Sequence, residues 1–214
     1  RFGVVCDKRD GQCYKTVKIG DQVWMAQNLN YAYTGVKFSN AWNTSDSTSW
    51  CYANEPSNCA KYGRLYTWSA AMDSAAFFSN DGKGCGHGVE CESSEKVRGV
   101  CPEGWHLPSR EEWRTLFITV GGQDKAGTAL MSQTGWNNDG NGMDAYGFSA
   151  LPAGYRNDFG SFYGAGSYAY FWSASQYEYS SDDAYDMSLY YYVEGALLGY
   201  YGKYYGDSVR CLQD

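Results

Sequence analysis

Acidic residues near the C-terminus lie among tyrosines, and this combination suits two kinds of chemistry. Asp182, Asp183, Asp186 and Glu194 fall within one short stretch. A glycosidase needs two carboxyl groups that face one bond, and a pair of these residues could supply them. Acidic residues among tyrosines also suit simple sugar binding. The residues favour binding, and hydrolysis is the alternative.

The histidine of the segment WHLP, His106, is a candidate catalytic base. A base needs a nucleophile or a substrate proton within reach and a group that orients it. The chain offers no serine or cysteine motif such as G-x-S-x-G as a partner. We therefore expect His106 to be a structural hydrogen-bonding residue just before a helix.

Eight cysteines could serve as zinc ligands or as disulfides. No C-x-x-C pair occurs and the two histidines, His87 and His106, lie far apart, which argues against zinc. An even number of cysteines in loop-like sequence predicts four disulfides and an oxidising compartment. Three pairs close short polar loops and the fourth takes the two cysteines that remain. The expected pairs are Cys6 with Cys13, Cys51 with Cys59, Cys85 with Cys91, and Cys101 with Cys211.

The loop NNDGNGMD has oxygen ligands at short spacing and glycines that permit tight turns. Calcium takes about six to eight such oxygens. If a cation binds, we expect calcium near Asp139, Asn141 and Asp144. Clusters of Asn, Asp and Gly are also common in turns, so a loop without metal is the alternative.

The stretch LYYYVEGALLGYYGKYYG, positions 189–206, holds seven tyrosines and four glycines. Tyrosine combines a flat apolar ring with one hydroxyl at low rotamer cost, and sugars present CH faces and hydroxyl groups. The alternative is that these rings are packing or sheet-surface residues, because strands favour tyrosine. The predicted ligand-binding residues are Trp172, Tyr177, Tyr179, Asp186, Tyr190, Tyr192, Tyr200, Tyr201, Tyr204 and Tyr205.

Strand alternation gives this prediction its geometry. In a strand from Tyr185 to Glu194, successive side chains point to opposite faces. The set expected in the core is Tyr185, Met187, Leu189, Tyr191 and Val193. The set expected on the outer face is Asp186, Ser188, Tyr190, Tyr192 and Glu194. The outer set is too aromatic for a merely solvated face and too polar for a core.

The elements that must position these residues are a hairpin, helices and a meander. Asp10-Gly11 and Gly20-Asp21 predict two turns of an N-terminal hairpin. Helical spacing predicts a helix beginning near Thr67, and a capping box at Ser109 and Glu112 begins a second. A short third helix is expected over residues 125–132, with loops over 34–60 and 79–99. Aromatic runs after about residue 168 predict antiparallel strands, so residues 1–214 are expected to form a single α+β domain.

Composition excludes several classes of protein. The net charge is −7 and no run of basic residues occurs, so the electrostatic footprint of a nucleic-acid binder is missing. No apolar stretch is long enough to predict a membrane span. The N-terminal RFGVVC lacks a signal-peptide hydrophobic region, so any export signal is expected to be absent from this sequence.

Six ordered blocks of the sequence closely resemble a known family. They are VKIGDQVWMAQNLNY, CAKYGRLYTWSAAM, CPEGWHLPSREEW, GFSALPAGYR, FWSAS and SVRCLQD. From about residue 7 to 214 the chain resembles the Fibrobacter succinogenes major paralogous (FISUMP) domain. HLPSREEW and SVRC also resemble, at greater distance, blocks of the formylglycine-generating-enzyme branch of C-type-lectin-like folds.

The resemblance implies a C-type-lectin-like fold with two main helices, a small antiparallel or mixed sheet joining the chain ends, and long disulfide-pinned loops. It also implies a secreted or cell-surface bacterial protein that adheres to polysaccharide or other surface ligands. The enzymes of that fold class work through a reactive cysteine pair, whereas a Cys101–Cys211 disulfide leaves no free thiolate. We therefore expect a non-catalytic, adhesin-like binding module. The alternatives are a structural domain that packs its aromatic face on a partner chain and a glycan-active enzyme.

Overall fold

The N-terminal hairpin lies where the turn dipeptides predict it. A computed structural model describes residues 1–37, 47–91 and 96–214 of the chain. In it β1 (Phe2–Cys6), β2 (Cys13–Ile19) and β3 (Gln22–Met25) follow one another as antiparallel strands. Gly11 and Gly20 occupy the intervening turns with φ of 75° and 61°, a backbone region that favours glycine. Both predicted turns are confirmed.

Twelve strands, four α-helices and one short 3-10 helix (Tyr52–Asn54) make up the described structure. After the hairpin the chain forms β4 (Ser49–Trp50), α1 (Pro56–Tyr62), β5 (Leu65–Tyr66), α2 (Trp68–Ala71), β6 (Trp105–His106), α3 (Arg110–Thr119), α4 (Gln123–Leu130), β7 (Ala153–Arg156), β8 (Phe162–Ala165), β9 (Tyr168–Gln176), β10 (Asp183–Tyr190), β11 (Leu197–Gly202) and β12 (Leu212–Gln213). The fold is therefore mixed α and β, with more strand than helix.

Two five-stranded sheets and one two-stranded sheet organise these elements. The first sheet has the order β1-β2-β3-β12-β6, so the last strand of the chain lies between strands from its first half. This is the joining of the chain ends that the family resemblance implied. The second sheet has the order β11-β10-β9-β7-β8 and is antiparallel except for β7 beside β9. The predicted C-terminal meander corresponds to β9, β10 and β11.

Local capping determines where the helices begin. The Thr67 hydroxyl accepts a hydrogen bond from the Ala70 N–H at the start of α2. Ser109 and Glu112 form both hydrogen bonds of a capping box at α3, which confirms the predicted helix starts. The expectation of a third helix at 125–132 is met by α4, two residues earlier.

The expected loop over 34–60 is wrong in its second half. Residues 56–62 form α1, with Pro56 in its first turn, where the missing N–H of proline costs no hydrogen bond. Residues 38–46 of that loop, and 92–95 of the loop expected over 79–99, lie outside the described residues.

Two buried clusters pack around the second sheet. One contains Trp68 and Trp172, and the other contains Trp24, Trp113 and Phe171. Because Phe171 and Trp172 are consecutive in β9, the two faces of this strand pack into different clusters. The central strands are therefore buried on both faces over much of their length.

Four disulfides join the cysteines in the predicted pairs. Cys6 bonds to Cys13, Cys51 to Cys59, Cys85 to Cys91, and Cys101 to Cys211. The last of these links residues 110 apart in sequence and ties the segment before β6 to β12. Within residues 1–37, 47–91 and 96–214, no helix combines the length and apolar character that crossing a bilayer requires.

Candidate binding face

Eight tyrosines form one contiguous cluster on the second sheet. We call it the tyrosine face. Its members are Tyr155, Tyr163, Tyr168, Tyr170, Tyr190, Tyr192, Tyr201 and Tyr205. Neighbouring ring centroids lie 5.3 to 6.3 Å apart, and most pairs meet edge to face or tilted. Such arrangements are favourable for aromatic rings.

Strand register brings the tyrosine face together. Tyr168 pairs with Tyr190 across β9 and β10, and Tyr155 pairs with Tyr163 across β7 and β8. Tyr170 lies two residues beyond Tyr168 and therefore points to the same side of the sheet. The rings differ in exposure, since Tyr192 is 64% and Tyr163 50% exposed whereas Tyr170 is buried. The face thus presents partly exposed rings to solvent around a buried centre.

Two buried carboxyl groups lie beneath the rings. Asp186 of β10 is fully buried, and neither of its carboxyl oxygens has a hydrogen-bond partner among the described residues. Asp207 is also buried, and its Oδ2 is likewise without a partner in the described part of the chain. Asp186 pairs in register with Trp172 on β9 and with Gly199 on β11.

The pKa values of these groups reflect burial. Removal from water raises the pKa of Asp186 to about 8, and the backbone N–H of Asp186 only partly offsets this. Burial and then the nearby Asp186 raise the pKa of Asp207 well above its ordinary value. Burial also raises the pKa of the Tyr201 hydroxyl to about 12, with Asp186 contributing in the same direction. The tyrosine face therefore lies over an acidic floor, by which we mean Asp186 and Asp207.

A second group of tyrosines lies on the other side of the same sheet. Tyr185 and Tyr200 are paired across β10 and β11, one residue away from the positions that face the acidic floor. Tyr177 stacks on Tyr200 with centroids 3.8 Å apart. The Arg110 guanidinium lies 3.9 Å from the Tyr185 ring centroid. Tyr179, which is 82% exposed, contacts the ring of Tyr177.

Tyr204 lies in a third place, beside the loop closed by Cys85 and Cys91. Its ring stacks on His87 with centroids 3.8 Å apart. The neighbouring Lys203 is buried and donates hydrogen bonds to the carbonyls of Gly86, Val89 and Ser181 and to the side chain of Gln176. Burial lowers the pKa of Lys203 to about 8. This segment fastens a loop to the end of the sheet.

The predicted single patch therefore divides into parts. Tyr190, Tyr192, Tyr201 and Tyr205 belong to the tyrosine face, whereas Tyr177, Tyr179 and Tyr200 lie on the opposite side. Trp172 was expected on the surface but is buried, because it packs into the cluster that contains Trp68. Its Nε1 donates a hydrogen bond to the Tyr66 carbonyl at 2.6 Å.

Asp186 and Ser188 are also buried, contrary to the expected outer face of the strand. The reason is that the sheet packs on both sides, so strand alternation does not separate core from solvent here. The strand expected to run to Glu194 ends at Tyr190, and Tyr191 to Glu194 follow it as a turn.

Four members of the tyrosine face were not predicted as binding residues. They are Tyr155, Tyr163, Tyr168 and Tyr170. The alternation in SYAYFW was a usable signal, because Tyr168 and Tyr170 share a face with the strand partners of the C-terminal tyrosines. Tyr155 and Tyr163 join the face because β7 pairs with both β9 and β8, which no local pattern specified.

The carboxylates considered for hydrolysis do not gather around one bond. Asp182 precedes β10 and Glu194 follows it, so eight strand residues, or roughly 26 Å, separate them. Glycosidases place their two carboxyl groups within about 10 Å of each other. Asp183 and Asp186 lie three residues apart along the strand and so point to opposite faces. This geometry gives hydrolysis no support.

The loop predicted to hold calcium is closed by its own hydrogen bonds. Asn141 Oδ1 accepts from the Trp136 N–H at 2.9 Å, and the Asp144 carboxylate accepts from the N–H and hydroxyl of Ser149. Asp139 is exposed. Among the described residues no group of three or more His, Cys, Asp or Glu side chains is arranged to hold a metal ion. Calcium at this loop stays a prediction.

His106 is buried between two carboxylates. Its Nδ1 lies 2.7 Å from Asp214 Oδ1, and its Nε2 lies 2.8 Å from Glu112 Oε2. Glu112 is the acidic member of the capping box, so the histidine links β6 to the start of α3.

The sequence blocks that carry the family resemblance meet at Arg210. This arginine is fully buried, and its guanidinium donates to Asn28 Oδ1 at 2.6 Å and to the carbonyls of Met25, Phe148 and Ser149. These partners come from the blocks VWMAQNLN and GFSALPAGYR, and Arg210 comes from SVRC. The blocks therefore specify the framework of the fold, whereas most of the tyrosine face lies outside them.

The comparison with protein families agrees with this framework. The family model described as Fibrobacter succinogenes major domain matches residues 17–213. No curated protein and no solved structure matches the chain.

Proposed function

The chain belongs to the Fibrobacter succinogenes major domain family, and we propose that it is a non-catalytic, secreted or cell-surface binding module. In this proposal it recognises polysaccharide or another surface ligand through the tyrosine face. The four disulfides support a location outside the reducing cytoplasm. The position of β12 between β3 and β6 supports a C-type-lectin-like architecture as part of the same proposal.

The observation that carries the proposal is the contiguity of partly exposed tyrosines on one side of the second sheet. Each ring can stack on the CH face of a sugar, and each hydroxyl can exchange hydrogen bonds with it. Two or three such contacts, at roughly 0.5 to 1.5 kcal/mol each, give weak binding per site. Weak sites are effective when many copies act on one surface.

Replacing exposed tyrosines of the face tests the proposal. The variant Tyr163→Ser/Tyr192→Ser/Tyr201→Ser should lose retention on insoluble cellulose, xylan or mannan, because it removes stacking surface while the buried Tyr170 keeps its place. Retention is measured by pull-down. The matched control, Tyr179→Ser/Tyr200→Ser, removes exposed rings from the opposite side of the sheet and should bind normally.

Equal retention by both variants would contradict the assignment of the binding face. Failure of the wild-type chain to bind any surface polysaccharide would contradict the proposal itself. Melting curves of all variants establish that losses do not come from unfolding.

An assembly domain is the second candidate, favoured by the exposure of Phe159, at 88%, in the turn that leads into β8, the strand of the half-exposed Tyr163. Large exposed aromatics are typical of protein interfaces as well as of glycan surfaces. Mass measurement in solution separates the two functions. A concentration-dependent dimer that Tyr163→Ser dissociates would favour assembly.

A further inference from the structure

We propose that the tyrosine face selects a polysaccharide that carries positive charge, whose ammonium groups lie among the rings above Asp186 and Asp207. The ligand class is an amino-sugar polymer with free or alkylated amines. The inference rests on the proposed function and narrows its ligand.

The first step is that the two carboxyl groups of the acidic floor have no positively charged partner among the described residues. Within residues 1–37, 47–91 and 96–214, neither Asp186 nor Asp207 takes part in an ion pair. Asp186 is the neighbouring charge that raises the pKa of Asp207, and no lysine or arginine of the described residues forms an ion pair with either carboxyl. A buried polar group without a hydrogen-bond partner is unfavourable, so its presence in the folded protein calls for an explanation. A ligand cation would provide the missing partner charge.

The second step is the chemistry of the rings. Tyrosine rings have a negative face that attracts cations placed within about 6 Å of the centroid. The titratable groups that surround the floor are tyrosines from every neighbouring strand, namely Tyr155 of β7, Tyr170 of β9, Tyr190 of β10, Tyr201 of β11 and Tyr205. Aromatic faces over carboxyl groups form the kind of site that recognises ammonium groups.

The third step excludes a metal ion as the occupant. Calcium and magnesium require about six or more oxygen ligands in a defined shell. The floor offers two carboxyl groups, and the surrounding groups are phenol rings. An organic ammonium needs no such shell, because ring faces and one carboxylate satisfy it. We choose a polysaccharide over a basic peptide as the ligand, because the proposed function already uses several tyrosine rings to stack on successive sugars.

The floor also predicts a proton linkage. Burial keeps both carboxyls largely protonated near neutral pH, and a cation above them stabilises their ionised forms. Binding of a cationic ligand should therefore release protons and should strengthen as pH rises toward the pKa of Asp186, about 8. A neutral ligand should show neither effect.

The experiment compares two oligosaccharides of equal length by titration calorimetry. One is a trimethylated chitosan oligosaccharide, whose charge does not depend on pH, and the other is the neutral chitin oligosaccharide. The wild-type chain should bind the charged probe about tenfold more tightly, the order expected of one desolvated cation–π contact. Proton release is read from the dependence of the heat on buffer ionisation enthalpy.

The variants assign the effect to the floor. Asp186→Asn should reduce the preference for the charged probe to less than about threefold and should reduce proton release, because Asp207 is then the one carboxyl left in the floor. Asp21→Asn removes the same charge from an exposed turn of the other sheet and should keep both. Equal affinity of the wild-type chain for the two probes would overturn this inference while leaving the proposed function intact. Tighter binding of oligolysine than of the charged sugar would overturn the choice of a polysaccharide.

Discussion

Asp186 is a carboxyl group that the fold removes from water without giving it a hydrogen-bond donor from another described residue. Burial of a charge without compensation is unfavourable, so such a group takes up a proton instead. The expectation that Asp186 lies on the outer face of the strand is therefore wrong, whereas its part in binding stays a prediction. The sequence shows where the acidic residues and tyrosines stand. It does not show that Asp186 is buried, because that depends on packing against both faces of the sheet.

Asp186→Asn should make stability less dependent on pH. The pKa of this aspartate rises from its ordinary value of 3.8 in the unfolded chain to about 8 in the folded protein, so the folded state holds the proton more tightly between these values. Its contribution to stability is complete below the unfolded pKa and is lost as pH rises through that window. Relative to the variant, the wild-type Tm should therefore fall as pH rises.

Thermal melts across this pH window measure the effect. A difference of about 1 kcal/mol corresponds to roughly 2 to 4 °C in a chain of this size. Asp21→Asn, in an exposed turn, serves as the control and should follow the wild-type curve. Parallel curves for the wild type and Asp186→Asn would show that the buried carboxyl is stabilised equally in both protonation states.

At the scale of elements, the sequence correctly predicted the turns and helix starts that depend only on residues close together in the chain. The capping box at Ser109 and the turns at Gly11 and Gly20 require particular residue types, so they could be read from the sequence. The helix α1 was not predicted, because its sequence PSNCAKY has no apolar residues at helical spacing, although Pro56 lies in its first turn. The full length of β10 was misjudged because tyrosine suits a strand and a turn equally well in this segment.

Lys203→Met should loosen the loop closed by Cys85 and Cys91. Methionine keeps an apolar chain over the Trp68 ring, which lies 4.5 Å from the ammonium, but leaves the carbonyls of Gly86, Val89 and Ser181 without their donor. Replacing a buried charge can be harmless when its partners are also removed, whereas leaving them unpaired is costly. We expect a loss of about 3 kcal/mol in the free energy of unfolding.

Urea denaturation gives the size of this loss, and amide hydrogen exchange over residues 85–91 gives its location. The control is Lys61→Met, an exposed lysine that lies 4.7 Å from the Tyr62 ring and should change stability by less than about 0.5 kcal/mol. Unchanged exchange in the loop of Lys203→Met would mean that the Cys85–Cys91 disulfide alone holds it.

At the scale of the whole molecule, the sequence predicted the disulfide framework and the joining of the chain ends but not the arrangement of the binding face. Cysteine positions restrict pairing strongly, and the family blocks fix the buried framework around Arg210. The tyrosine face depends instead on the register of β7, β8, β9 and β10, which is set by long-range pairing. Period-two alternation predicts which residues share a face within one strand, and it gives no information on which strands become neighbours.

The Cys101–Cys211 disulfide should contribute the most stability of the four, because it closes the longest loop. Its cysteines are 110 residues apart, whereas Cys6 and Cys13 are 7 apart. In the chain-entropy model a loop of about 100 residues corresponds to roughly 4.7 kcal/mol, and a loop of about 15 to roughly 3 kcal/mol. Cys101→Ala/Cys211→Ala should therefore lower the free energy of unfolding by about 2 kcal/mol more than Cys6→Ala/Cys13→Ala. Denaturant unfolding of both variants under oxidising conditions measures the difference.

Equal losses in the free energy of unfolding would contradict this prediction. They would indicate that the pairing of β12 with β3 and β6 already holds the chain ends together in the unfolded ensemble or that strain offsets the entropy.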